Sequence, residues 1–271
     1  NNYAGWWYCC IPRTKLSLDR LSLPLFIRGD DVEFSIANHA KFITMNGICI
    51  WHMGFVTKFN MPMEFYQVLE KRRTVRDFSD RKVDDEVLKR ILGAAFKAPT
   101  NDHLRQFEFV VVRGQERIGR IISPVSENTR NIQQTGLEVA GNTMDRDEYA
   151  MFVDALPKQQ RMLMQSGCLV LPFFRQKDCP LCRPADQSSL NYFASAWAAV
   201  ENILLAATAE GLACAFRIPI GNEPEYVKRM VGAPDGYEFT CFLAIGYAAE
   251  DAHICKQKVI SVESRIHCNI W

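Results

Sequence analysis

The chain has 271 residues, a formal net charge of +1 and a composition that is 48% hydrophobic and 23% charged. These proportions are those of a globular protein, and they argue against a disordered chain, a fibre or a general attraction to nucleic acid. No apolar run reaches the roughly 18 to 20 residues that a membrane helix needs, so we expect no membrane partner and a cytoplasmic location.

The first sixty residues differ from the rest of the chain. Their apolar stretches, Trp6 to Cys10 and Ile48 to Phe55, follow neither a helical nor a strand period. We therefore interpret residues 1–60 as an N-terminal extension of unknown structure and expect residues 61–271 to form the folded domain. No acid or cysteine stands at ligand spacing beside His39 or His52, so we assign no metal ligand there.

Sustained periodicity begins near Met61 and predicts an alternation of helices and buried strands. Helical spacing occupies residues 65–71, 84–98, 115–122, 158–165, 188–210 and 223–231. Short apolar, β-branched runs predict strands at residues 107–112, 168–174, 212–218 and 239–247. Pro172 lies inside the second run and predicts an edge position or a bulge. The polar residues 124–150 are expected to form an irregular excursion that covers a site.

The cysteines favour a reducing compartment, because several of the ten lie inside apolar runs where cysteine behaves as a small hydrophobe. Cys179 and Cys182 form a lone Cys-x-x-Cys pair. A zinc or iron–sulfur site would need further ligands, and no second pair stands at the required spacing. We therefore predict a loop there and no metal.

The longest regular segment, residues 188–210, is rich in alanine and predicts a helix buried nearly all round. Ser188 or Ser189 is the expected cap, and Gly211 the expected end. In a chain of this size such a helix is central or lies at a subunit interface. Glu201 and Asn202 in its middle are then expected to be buried polar groups that need partners.

A basic stretch, residues 71–78, stands where the first helix pattern ends. Its arginines and one threonine are the donors that suit phosphate oxygens, because arginine offers a planar fork and threonine a short neutral hydroxyl. A solvated helix end, with cations near the C-terminal dipole, explains the same residues. The stretch by itself leaves both interpretations open.

Four features in order along the chain carry a family resemblance. They are Arg72-Arg73-Thr74 followed by Arg76-Asp77-Phe78; Ala98-Pro99-Thr100-Asn101-Asp102-His103 ahead of Phe107-Glu108-Phe109; Val200 to Ala207 leading into Gly211-Leu212; and Gly232 to Tyr237 through Leu243 to Tyr247, then Lys256 and Lys258. Together they resemble the nitroreductase family of flavoenzymes over roughly Pro62 to Trp271.

The resemblance implies an α+β fold of three layers, with a central, mostly antiparallel sheet flanked by helices, in a homodimer. It implies FMN as cofactor, NAD(P)H as electron donor and a small electrophilic acceptor, such as a nitroaromatic or a quinone, reduced by a ping-pong hydride mechanism. The chemistry belongs to FMN, so no catalytic side chain is assigned. The implied FMN contacts are Arg72, Arg73, Thr74, Asn101, His103, Arg105, Arg217, Ile218, Pro219, Ile220, Gly221, Lys256 and Lys258.

Two departures from the family pattern affect the ring contacts. His103-Leu104-Arg105 stands where many members have an Asn-x-Gln-Pro-Trp loop, and Arg217-Ile218-Pro219 where many have Trp-Ile-Gly. Arg105 or Arg217 would then place a positive charge near a reduced flavin, and the backbone amides from Ile218 to Gly221 would face it. These substitutions leave the physiological acceptor and the choice between NADH and NADPH open.

Two further functions remain as alternatives. One is a non-catalytic flavin- or nucleotide-binding sensor with the same phosphate site. The other is a branch of the same family that performs reductive dehalogenation or modifies flavin. Such branches cover the flavin with dedicated inserted residues, which are not recognisable in residues 124–150.

Overall fold

A computed structural model describes residues 61–176 and 187–271. The extension at residues 1–60 and the Cys179 and Cys182 pair lie outside the described residues. The helices are α1 Met61–Lys71, α2 Asp85–Ala95, α3 Gln115–Ile121, α4 Ser123–Thr143, α5 Arg146–Gln165, α6 Asn191–Ala209 and α7 Glu223–Val231. The strands are β1 Phe107–Val112, β2 Cys168–Arg175, β3 Ala213–Arg217, β4 Tyr237–Phe239 and β5 Phe242–Gly246. Short 3₁₀ helices span Asn101–His103, Gln187–Leu190 and Glu263–Arg265.

The strands form one antiparallel sheet in the order β1-β2-β5-β3. β4 pairs with β2 beyond the point where β5 leaves it, so that β2 has neighbours on both sides along its length. In the register, Val170 of β2 lies opposite Val111 of β1 on one side and opposite Leu243 of β5 on the other. The expectation of a mostly antiparallel central sheet is confirmed.

Side chains of β2 alternate between two apolar layers, as the period of two in a strand requires. Leu169 and Leu171 join a core that includes residues of α3 and α5. Cys168 and Val170 join a second core, on the other face, that includes residues of α2 and α6. Because both faces are covered by helices, seven of the eight β2 residues are buried. This confirms the three-layer architecture.

Pro172 was predicted at an edge or a bulge, and the edge position is wrong. The register passes from Val170 opposite Leu243 to Phe173 opposite Phe239, so one extra residue lies opposite β2 here, as in a bulge. Pro172 lies inside the sheet, opposite Phe109 of β1. On the other side of β2, it lies where pairing passes from β5 to β4, and its carbonyl oxygen accepts a hydrogen bond from the amide of Thr240 over 2.9 Å. A proline lacks the N–H that a continuous ladder would use, so an interior strand tolerates it at this interruption.

Residues 124–150 are helical rather than irregular, which corrects the sequence prediction. They belong to α4 and to the first turn of α5. Asp145 starts α5 through a capping box, in which its carboxylate accepts from the amides of Asp147 and Glu148 while the Glu148 carboxylate accepts from the amide of Asp145. α4 packs against α5 and α7, and this packing stabilises the helix although its polar composition does not favour it.

The alanine-rich helix α6 is not buried all round in this single chain. One side packs against α2 and the sheet, but the side chain of Glu201 is 52% exposed, contrary to the prediction for it. Asn202 is half-buried and donates to the carbonyl oxygen of Ala94 over 3.1 Å. Within the described residues, none of the helices is both long and apolar enough to cross a membrane.

Candidate functional site

The basic stretch after α1 is extended and lies along the edge of the sheet. Thr74 forms a parallel bridge with Cys214 of β3, and the amide of Val75 donates to the Cys214 carbonyl oxygen over 3.0 Å. Phe78 forms a bridge with Ala248 just after β5. Val75 and Phe78 are buried in the core, and these anchors fix the half-buried Arg76 between them. A solvated helix end therefore describes Lys71 but not the residues that follow it.

The glycine at the end of β5 permits this close approach. A Cβ atom on Gly246 would lie 2.8 Å from the backbone nitrogen of Gly167 and 3.0 Å from Cδ1 of Phe78. Both distances are shorter than ordinary van der Waals contact, so a larger residue would push Phe78 away. The extended basic stretch depends on this contact for its position.

The two ends of the predicted phosphate site meet within one chain. Arg73 Nη2 donates to the carbonyl oxygen of Cys255 over 3.5 Å, across 182 sequence positions. Lys256 follows directly and is exposed, with no ion pair recorded for it among residues 61–176 and 187–271. Arg72 has only a long contact, 3.9 Å from its Nε to Glu201. Arg72, Arg73 and Lys256 thus carry charge that the described part of the chain does not strongly neutralise.

Lys258 differs from Lys256 in its surroundings. Its Nζ lies 2.5 Å from Asp145 and 2.8 Å from Glu148, the two acids of the α5 capping box. These hydrogen bonds raise the pKa of the lysine and lower the pKa values of both carboxyl groups. Lys258 therefore fastens the segment after β5 to the start of α5. A cavity of about 470 Å³ lies between this segment and α5.

The loop that holds Asn101, His103 and Arg105 lies beside the start of α6. The amide of Asn101 donates to Ser195 Oγ over 3.0 Å. His103 and Arg105 have φ values of 56° and 48°, in the left-handed region that most residues avoid. Arg105 braces this loop, because Nε donates to the Phe96 carbonyl oxygen over 3.0 Å and Nη1 to that of His103 over 3.2 Å. Strain of this kind is typical of binding loops.

The turn after β3 is built around a buried ion pair that the sequence did not predict. Arg217 is 6% exposed and its guanidinium binds the fully buried carboxylate of Glu223, with 2.8 Å from Nη2 to Oε1. The same carboxylate accepts from the amide of Ile220 over 3.0 Å and from Asn128 of α4 over 2.9 Å. The charge of Arg217 is therefore balanced inside the chain, and the Ile220 amide is engaged. An acid six positions after an arginine, at a helix start, was the only sequence signal.

The positions along β3 relate these parts of the site. Thr74 lies beside Cys214 near the start of the strand, and Arg217 ends it three residues later, about 10 Å away at the rise of an extended strand. Trp197 of α6 meets Phe216 edge to face, with 5.3 Å between ring centroids. The basic stretch and the turn at residues 218–221, of which Ile218 and Gly221 are exposed, thus lie at opposite ends of one strand.

A further charged cluster, unforeseen from the sequence, lies next to the basic stretch. Lys158 of α5 lies between two carboxylates, with its Nζ 2.8 Å from Asp77 and 3.0 Å from Asp154. Burial alone would lower the pKa of Lys158, but the two carboxylates outweigh burial and raise it. His253 Nδ1 lies 3.0 Å from the same Asp154. The sequence shows only that His253 and Cys255 are two residues apart, because their acidic partner Asp154 is about a hundred residues away.

Comparison with known proteins identifies the family. The model of the nitroreductase family matches residues 69–247, well over half of the chain. "Putative NADH dehydrogenase/NAD(P)H nitroreductase" of Methanothermobacter thermautotrophicus is 23% identical over 211 residues, which are 77% of this chain and 88% of that protein.

Two other similarities differ in extent. A crystal structure of oxidised iodotyrosine deiodinase bound to FMN and 3-iodo-L-tyrosine has a TM-score of 0.59 at 21% identity, and the match covers 76% of this chain and all of that one. Galactofuranosyltransferase GlfT2 of Mycobacterium tuberculosis is 40% identical over 60 residues, which are 21% of this chain but 9% of that protein. A stretch this short transfers no activity. The family match covers the sheet and the helices that flank it, and the chain belongs to the nitroreductase family.

Proposed function

We propose that the protein is an FMN-dependent oxidoreductase that passes electrons from NAD(P)H to a small electrophilic acceptor. The observation that carries this proposal is the meeting of Arg73 with the segment at Cys255 and Lys256, which gathers cations from both ends of the domain. Arginine and lysine at one place suit a phosphate monoester, since each donates charge-assisted hydrogen bonds to its oxygens.

The residues of the site fit FMN in the following roles. Arg72, Arg73 and Lys256 bind the phosphate, and Thr74 adds a hydroxyl near it. The turn from Ile218 to Gly221, at the other end of β3, lies toward the ring, as do Asn101 and His103 in the strained loop. When bound, FMN accepts a hydride from the nicotinamide and passes electrons to the acceptor. The chain supplies binding, orientation and exclusion of water.

Arg217 and Arg105 have less direct roles in this proposal. Arg217 is paired with Glu223, and Arg105 with backbone carbonyls, so both act first on the shape of the loops that hold them. Lys258 likewise orients the Lys256 segment through the acids at the start of α5. We infer that these three residues position the site rather than bind FMN.

Reductive dehalogenation is the second candidate. Its support is helix α4 with the first turn of α5, which stands in place of the expected irregular excursion. Asn128 of α4 donates to Glu223, so α4 is attached to the turn at residues 218–221. A helix held beside that turn would suit a substrate that must be shielded from water. A sensor without turnover remains the alternative outside the enzymes.

We also propose a cytoplasmic homodimer. Phe65, Tyr66 and Leu69 of α1 are 53%, 63% and 38% exposed in the single chain, and α1 packs against α6, whose outer side is also incompletely buried. Apolar side chains grouped in this way favour burial against a second copy. Light scattering at low micromolar concentration is expected to give the mass of a dimer, and the mass of a monomer would reject this part of the proposal.

Cofactor analysis and steady-state kinetics test the function together. Heat-released flavin is expected to run as FMN, and FMN-loaded protein is expected to oxidise NADH or NADPH with an added quinone. Varying both substrates is expected to give parallel double-reciprocal lines, because each substrate uses the same site in turn. Flavin binding without oxidation of either nucleotide would favour the sensor, and turnover of halotyrosines but not quinones would favour dehalogenation. Protein that takes up no FMN would reject both enzymes.

A further inference from the structure

Asp154, His253 and Cys255 form a cluster whose potential ligand atoms face one another. His253 Nδ1 lies 3.0 Å from Asp154 Oδ1, Cys255 Sγ lies 3.5 Å from Asp154 Oδ2, and Cys255 Sγ lies 4.0 Å from His253 Nδ1. Among the described residues, this is a group of three in which each side chain offers one oxygen, nitrogen or sulfur atom within 4.8 Å of the others. The nitroreductase activity assigns no role to it.

The spacing of the three side chains is close to that of ligands around one zinc ion. Zinc binds sulfur at about 2.3 Å and nitrogen or oxygen at about 2.0 to 2.1 Å, so the edges of its tetrahedron are about 3.3 to 3.6 Å long. The observed separations are 3.0 to 4.0 Å, but the His253 contact is to Oδ1 of Asp154 and the Cys255 contact is to Oδ2. One shared metal therefore requires a small rotation of the Asp154 carboxylate or of the exposed His253 ring. One thiolate, one imidazole and one carboxylate are also ligands that zinc accepts together. We propose that Asp154, His253 and Cys255 bind Zn²⁺.

The neighbouring charges are compatible with a divalent ion. Asp77 pairs with Lys158 and Arg161, and Asp154 pairs with Lys158, so two carboxylates already balance two cations. Zinc and the thiolate that it creates at Cys255 add one net positive charge, and the thiol proton leaves to solvent. Lys158 contacts Oδ1 of Asp154, which leaves Oδ2, the oxygen that faces Cys255, for the metal. Such an outer partner orients a ligating carboxylate.

Besides Lys158, Arg76 is a cation close enough to the cluster to act electrostatically on Cys255. Its Nε is buried without a hydrogen-bond partner. A metal-bound thiolate would give this guanidinium a negative neighbour that the protonated thiol does not provide.

Room for a fourth ligand lies beside the cluster. His253 and Cys255 line the cavity of about 470 Å³, whereas Asp154 is mostly buried, with 19% of its side chain exposed. Three protein ligands and an open, solvent-accessible position describe a site that keeps one exchangeable water. The metal would connect α5 to the segment that carries Lys256, and would therefore stabilise the described domain independently of flavin.

Cobalt(II) tests the site, because it replaces zinc and reports a sulfur ligand by a thiolate-to-metal charge-transfer band. The background protein carries Cys179→Ser and Cys182→Ser, so that this pair cannot contribute. Difference spectra against the metal-free sample, in which the absorbance of bound flavin cancels, are expected to show saturation at one Co²⁺ per chain. Added Zn²⁺ is expected to remove the band.

Matched variants decide which residues are responsible. Cys255→Ser is expected to abolish the band, while Cys268→Ser, at an exposed cysteine, is expected to keep it. His253→Gln is expected to weaken Co²⁺ binding at least about tenfold, and His267→Gln to leave it unchanged. Zn²⁺ should raise the melting temperature of the background protein but not of the Cys255→Ser variant. Absence of a band, or an equal band in the Cys255→Ser protein, would overturn the proposal. If the Cys255→Ser protein does not fold, comparison of Co²⁺ binding by the His253→Gln and His267→Gln proteins decides whether this cluster binds the metal.

Discussion

The guanidinium of Arg217 and the carboxylate of Glu223 form a buried ion pair at the turn between β3 and α7. Ile220 and Asn128 complete the hydrogen bonding of the carboxylate, so one acid fixes the turn, the end of β3 and helix α4. A buried pair costs desolvation of both ions, and it tolerates the loss of one partner poorly.

Glu223→Gln is expected to lower the free energy of unfolding by about 3 to 5 kcal/mol, because it leaves the Arg217 charge buried without a counter-charge. Urea unfolding followed by circular dichroism measures the change. Glu225→Gln on the same helix is the control, since Glu225 is exposed and a change there should stay within about 0.5 kcal/mol. Equal stability of the Glu223→Gln and wild-type proteins would show that the pair does not hold the turn.

Lys256 and Lys258 provide a comparison within three residues. Lys256→Ala is expected to weaken FMN binding about 10- to 150-fold, the equivalent of one charge-assisted hydrogen bond of about 1.5 to 3 kcal/mol. Lys258→Ala is expected to weaken it less, because that lysine is bound to Asp145 and Glu148. Fluorescence quenching of titrated FMN gives both dissociation constants. A larger loss for Lys258→Ala would reverse the assignment of the two lysines.

Gly246→Ala is expected to destabilise the fold by at least about 2 kcal/mol, since the added methyl meets the Gly167 backbone and Phe78. It should also weaken FMN binding in protein that remains folded, because Phe78 anchors the basic stretch. Gly93→Ala is the matched control: nothing lies within 4 Å of its added Cβ, and helix α2 should gain about 0.5 to 1 kcal/mol. Thermal melting of the two variants in parallel should shift in opposite directions.

The burial of two thiols predicts that they resist alkylation between pH 7 and 9. Burial raises the pKa of Cys168 to about 11 and raises that of Cys214 still further, so neither becomes a thiolate between pH 7 and 9. Iodoacetamide should therefore label exposed Cys268 but not Cys168 or Cys214 in native protein over this range, as read by peptide mass mapping. Labelling of Cys168 that rises between pH 7 and 9 would contradict its burial.

The strands were predictable from sequence where apolar runs are short and β-branched, as at Phe107–Val112 and Cys168–Arg175. For Pro172 the edge alternative was wrong, because a local rule for proline does not show that β4 and β5 share β2 between them, whereas the bulge alternative agrees with the register. Helix α4 and the first part of α5 were missed for a related reason, since a capping box and tertiary packing outweigh a polar composition. The second part of α5, from residue 158 onward, was predicted as a helix. The boundary of the domain near residue 60 stays a prediction.

Within the site, the basic stretch was predictable from a local composition suited to phosphate, and the Lys256 segment from the family resemblance. Their contact was not, since it joins residues 182 positions apart. Glu223 and Asn128 were missed because a buried charge is recognised by its partners, and partners come from the fold. The His253 and Cys255 cluster lacked a local signal for the same reason, as its third member lies on α5.

Anaerobic reduction tests the central claim most directly. FMN-loaded protein mixed with one equivalent of NADH or NADPH in a stopped-flow cell should lose its flavin absorbance, and a quinone added afterwards should restore it. The Lys256→Ala protein, supplied with enough FMN to saturate it, should show the same cycle. Flavin that binds but keeps its full absorbance with both nucleotides would contradict the assignment of this protein as an NAD(P)H-dependent oxidoreductase.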